Sequence, residues 1–103
     1  MPKFYITFQL NPLTVPVNPE ERAKNWLSML ELVKADMRAG LIKDWGWCSD
    51  GSCGYTIIEV ASEVDLFTAL LRWIPYVEFN AKPVMTLDQT IESVKKAVAA
   101  MKK

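Results

Sequence analysis

Lys43-Asp44-Trp45-Gly46-Trp47-Cys48-Ser49-Asp50-Gly51-Ser52-Cys53-Gly54-Tyr55 lies near the middle of the chain and decides how the rest is read. Asp50-Gly51 falls between two β-prone runs. An Asp-Gly pair in that setting is a strong hairpin signal, because glycine accepts the positive φ of a tight turn. The hairpin arms are then 41–49 and 53–60. Two of the four tryptophans and both cysteines crowd around the turn.

Working outward, residues 3–10 alternate, with Phe4, Ile6, Phe8 and Leu10 on one face and Tyr5, Thr7 and Gln9 on the other. That period of two predicts a half-buried strand. Pro12 and Pro16 make 11–17 a loop. Asn18-Pro19-Glu20-Glu21 then opens a helix, with Asn as cap, Pro at the first position and Glu three residues after the cap. Trp26, Leu30, Val33 and Met37 recur at helical spacing, widened by Ala23, Leu27 and Met29, and Gly40 stops the helix. Beyond the hairpin, Ser62 caps a second helix that offers Val64, Phe67, Leu70, Leu71 and Ile74 for burial, and Pro75 ends it. Residues 76–85 alternate again, with Val77, Phe79 and Ala81 opposite Glu78, Asn80 and Lys82; Pro83 makes this an edge strand or marks its end. Thr86-Leu87-Asp88-Gln89 is a capping box for a last helix with Leu87, Ile91, Val94, Val98 and Met101 on one side. At this length its stripe predicts burial against its own domain or a dimer mate rather than an independent coiled coil. Lys102 and Lys103 complement its C-terminal dipole.

The order β-α-β-β-α-β plus a helix is the ferredoxin-like α+β arrangement, an antiparallel four-stranded sheet with helices on one face, in one domain spanning 1–103. Composition bounds its chemistry. The 103 residues are 50% hydrophobic and 23% charged, and twelve basic residues balance twelve acidic ones. No global field therefore attracts nucleic acid or an anionic membrane. Histidine is absent, which removes Ser-His-Asp and Cys-His catalysis and histidine-ligated zinc or haem. The N-terminus carries no signal-like apolar core and no run approaches a membrane span, so the expected location is the cytoplasm. Cys48 and Cys53 flank the loop 49–52 and could meet across it. Closing so short a loop contributes only on the order of 2 kcal/mol, and a reducing cytosol leaves two thiols. With no histidine this spacing specifies no metal site, and no cofactor is expected.

Helices on one face leave the other sheet face for solvent, a partner or a ligand. Tyr5, Thr7, Gln9, Glu78, Asn80 and Lys82 lie there, and Trp45, Trp47, Tyr55, Ile57 and Glu59 are expected to join them. Rings mixed with a few polar tips suit a binding face or a partly wet interface. Trp45-Gly46, Asp50-Gly51, Gly54-Tyr55-Thr56-Ile57-Ile58-Glu59-Val60, Trp73-Ile74-Pro75 and Phe79-Asn80-Ala81-Lys82-Pro83-Val84 together give the chain its likeness. It resembles the dimeric α/β-barrel group, which includes muconolactone isomerase-like, antibiotic-biosynthesis monooxygenase-like and stress-responsive proteins, and within it an uncharacterised small-barrel family. The resemblance implies a homodimer joined open face to open face, and no known substrate. The RNA-recognition motif shares the element order, with Tyr5 and Tyr55 near its base-stacking positions. Cys53 and Ile57, however, stand where that motif has a basic residue and a second aromatic, which argues against nucleic acid.

The expected ligand is a small aromatic or apolar molecule in a sheet-face cavity lined by Tyr5, Thr7, Trp45, Trp47, Tyr55 and Ile57. If chemistry occurs there, it is cofactor-independent. Glu59 would serve as a base, Tyr5 as a proton donor and Asn80 as an orienting partner. The alternative is a non-catalytic dimer whose aromatics only join subunits.

Overall fold

Strict alternation gives β1 (Lys3–Leu10), with Phe4, Ile6 and Phe8 buried and Tyr5, Thr7 and Gln9 exposed. The structure is a computed structural model that describes residues 1–102; Lys103 lies outside the described residues. β1 is the spine of a four-stranded antiparallel sheet ordered β2-β3-β1-β4, built with β2 (Ile42–Trp47), β3 (Gly54–Glu59) and β4 (Val77–Val84). A 3₁₀ turn (Pro12–Thr14) and three helices complete this α+β fold: α1 (Pro19–Arg38), α2 (Glu63–Leu71) and α3 (Leu87–Met101).

The local signals act as their chemistry requires. The Asn18 side chain accepts from Glu20 N–H at 2.9 Å and Glu21 N–H at 3.3 Å, so two free donors of α1 are satisfied. Ser62 accepts from Asp65 N–H at 3.3 Å to start α2. Thr86 and Gln89 form the reciprocal capping box of α3. Pro83 sits on the edge strand β4, where a missing N–H costs no ladder bond. The β2–β3 connection uses the loop 49–52. Gly51 N–H donates to Cys48 O and Cys48 N–H to Cys53 O, each at 2.8 Å, and Gly51 takes a φ of 79°.

Phe4, Ile6, Val33, Ile42, Ile58, Val60, Leu66 and Leu70 form the core between the sheet and helices α1 and α2. The buried side of α2 differs from the sequence expectation. Leu66 and Leu70 are buried, with Trp73 packed beside them, while Val64, Phe67, Leu71 and Ile74 are exposed. α2 is apolar nearly all round, so it offers two stripes of helical period. The one that continues into Trp73 is the one that reaches the sheet.

The last helix behaves unlike the other two. No residue of α3 is buried, and β4 is exposed from Asn80 onward. The molecule measures 64 × 26 × 23 Å with a radius of gyration of 17.4 Å, against about 13 Å for a compact chain of this length. The end of β4 and α3 therefore form an arm projecting from the body. Among the described residues no helix is long and apolar enough to cross a membrane.

Candidate ligand-binding site

A single extra residue in β2 determines where the tryptophans go. Ile42 pairs with Ile58 and Asp44 with Ile57, so β2 uses one more residue than β3 across this step. The bulge lies at Lys43, and a one-residue offset moves every following side chain to the opposite face. Trp45 consequently pairs with Thr56 and Trp47 with Gly54, both inward-facing positions. The expectation that Trp45 and Trp47 share a face with Tyr5, Tyr55 and Ile57 is thereby corrected. Both tryptophans point to the helix side, and the expected ligand residues divide across the sheet. Asp44 steadies the bulge. Its Oδ1 accepts from Trp45 N–H at 2.9 Å and its carbonyl accepts from Thr56 Oγ1 at 2.9 Å.

On the helix side the rings assemble into a wall. Trp45 and Trp47 stack at 6.5 Å with 12° between planes, and Phe8 lies 5.7 Å from Trp47, 6.1 Å from Trp45 and 6.2 Å from Phe79. Trp26, Met29, Leu30 and Val33 of α1 close the wall from above, and Leu70 and Trp73 close it from the α2 end. All four tryptophans thus line one cavity of about 270 Å³. Its polar lining is sparse. The Thr56 hydroxyl is committed to Asp44, and Asp36 and Arg72 satisfy each other through a two-pronged ion pair, 2.5 Å at the closer prong. That pair ties the last turn of α1 to the end of α2, and Arg72 Nε donates to Ala69 O at 3.2 Å. Both side chains line the cavity. Trp26, Trp73, Asp36 and Arg72 join this site without having been among its expected residues. The readable signal was the spacing Leu66, Leu70, Trp73, which puts Trp73 on the buried side of its helix.

The open face has a different character. Tyr5 and Tyr55 stack at 6.4 Å with 22° between planes, and the Tyr55 hydroxyl donates to Asp44 Oδ2 at 3.1 Å. Gln9 donates to Glu78 at 2.8 Å, and Lys3 stands 3.8 Å from Glu59. The Tyr55 ring covers Gly46, so close that a Cβ there would stand 2.3 Å from Cε1. Tyr5, Glu59 and Asn80 share this face without converging. Glu59 is level with Lys3 on β3 and Asn80 is level with Thr7 on β4, a separation of roughly 17 Å by strand spacing and rise. Direct proton transfer between groups works at about 3 Å, so these three residues do not share one reacting centre.

Donation to the Asp44 carboxylate, then burial and the charge of Asp44, hold the Tyr55 phenol above the ordinary tyrosine range. A group whose pKa is raised by folding contributes stability that is fully present below its unfolded pKa and lost as pH climbs through the folded one. An alkaline titration of tyrosinate absorbance is expected to show a late component that disappears in Tyr55→Phe. A titration of identical shape in both proteins would remove the Asp44 bond from solution. At the hairpin tip Cys48 and Cys53 are free thiols with Sγ atoms 2.7 Å apart. That contact, followed by burial and the charges of Cys53 and Asp50, pushes the Cys48 thiol up.

No curated protein matches the chain in sequence. The model of a domain of unknown function, DUF3303, fits residues 3–98, which takes in the sheet, the hairpin, both cavity helices and most of the arm, and the chain belongs to that family.

Proposed function

We propose that this protein binds a small, flat, largely apolar molecule in the tryptophan-lined cavity between the helices and the sheet. The carrying observation is that all four tryptophans converge on one cavity whose polar side chains Thr56, Asp36 and Arg72 are already paired. A site of this kind selects by ring stacking and shape rather than by hydrogen bonding. A cavity of about 150 Å³ takes benzene, so about 270 Å³ suits a molecule of one or two rings. In this reading the whole chain is one ferredoxin-like domain. It acts as a cytoplasmic homodimer joined through the open sheet face, where Tyr5, Thr7, Tyr55 and Ile57 meet the partner. Asp44, Glu59 and Glu78 set against Lys3 and Lys82 make that face a poor surface for nucleic acid.

The test uses the intrinsic tryptophans as the probe. Titration with a panel of one- and two-ring aromatic compounds is expected to give saturable quenching by at least one of them. At a hundredfold excess over its Kd that compound adds about 2.7 kcal/mol of stability, a rise in Tm of about 10–20 °C for a domain of this size. Ala69→Phe, which fills the cavity from α2, is expected to abolish both signals. No saturable change across the panel would overturn the reading.

A further inference from the structure

We infer that α3 is an exchanged arm whose apolar stripe docks on a second copy of this chain; this rests on the dimer part of the reading above. Leu87, Ile91, Val94, Val98 and Met101 are 76%, 44%, 57%, 41% and 75% exposed, and no residue of the helix is buried. The spacing is that of a helix built to lie against a surface. Its own body does not supply that surface, since the arm extends the molecule to 64 Å. A capping box and an internal Glu92–Lys96 pair at 3.2 Å stabilise the helix without covering the stripe.

Two further observations select a second copy as the occupant. At roughly 60–120 Å² of apolar area per fully exposed side chain on the usual transfer scale, the stripe at these exposures offers roughly 180–350 Å². Two reciprocal arms with the surfaces that receive them reach on the order of 700–1,400 Å², which added to the open sheet face brings the dimer to the size of a stable protein interface. The polar side of α3 balances Asp88 and Glu92 against Lys95 and Lys96. Helices that bind membrane surfaces carry instead a strongly basic polar face.

The experiment is light scattering on the full chain across a dilution series, for wild type, for Ile91→Glu with Val94→Glu, and for Lys96→Ala. Circular dichroism and tryptophan fluorescence confirm that each body is folded; α3 contains no tryptophan, so cavity signals are independent of it. The expected result is a twofold larger mass for wild type and Lys96→Ala that persists on dilution, and a stripe variant whose dimer dissociates at a concentration about tenfold higher or more, with unchanged fluorescence. A wild-type monomer would overturn the arm and the dimer together. A stripe variant whose dimer dissociates at the wild-type concentration would overturn the arm alone and leave the sheet-face dimer standing.

Discussion

Ile6→Ala is expected to lower the unfolding free energy by about 2–5 kcal/mol, read as a fall in Tm of about 10 °C or more. Ile6 is fully buried at the centre of β1, opposite Thr56 on one side and Ala81 on the other. Both neighbours are small, and both belong to strands fixed by ladder bonds, so little can collapse into the void. A domain of this size has only about 5–15 kcal/mol in total. Ile6 does not line the tryptophan cavity. The variant should therefore bind ring compounds with near wild-type affinity at temperatures where it is folded. Chemical denaturation measures the first effect and fluorescence titration the second. A loss below about 1 kcal/mol would mean that the centre of the sheet is loosely packed.

The separation of scaffold from site explains what could be read from the sequence. Alternation in β1 and the caps at Asn18, Ser62 and Thr86 are local: each is decided by residues within a few positions, and each element begins where its cap requires. The period of two also puts Trp45 and Trp47 on one common face. Which face depends on Lys43, and nothing in Ile42-Lys43-Asp44 marks a bulge, since no Gly or Pro stands there. The slip is set by pairing with β3, a non-local choice, and it moved the site to the other side of the sheet. The α2 error has a similar origin. Val64, Phe67 and Leu71 match helical period as well as Leu66, Leu70 and Trp73 do, and only the approach of the sheet selects between them. The stripe on α3 was legible in full; what covers it depends on a surface outside its own segment.

Gly54→Ala tests the wall of the cavity. A Cβ at Gly54 would stand 2.5 Å from Phe8 Cζ, and 2.7 Å from both Phe8 Cε2 and the Gly46 carbonyl oxygen. The ring has little room to retreat, because Trp45, Trp47 and Phe79 surround it. The carbonyl belongs to the backbone of β2 and cannot move without disturbing the hairpin. Overpacking of this kind costs about 1–3 kcal/mol, a fall in Tm of about 4–20 °C, and displacing Phe8 should weaken ring binding along with stability. Gly46→Ala provides the contrast. Its Cβ would also clash, at 2.3 Å from Tyr55 Cε1, but that ring lies half-exposed on the open face and can swing toward solvent. The loss there is the Asp44 bond and the Tyr5 stack, about 1 kcal/mol, with the cavity untouched. Thermal unfolding and fluorescence titration of the two variants side by side give the decisive comparison. If Gly46→Ala weakened ring binding and Gly54→Ala did not, the ligand would belong to the tyrosine face and the tryptophans would be only core.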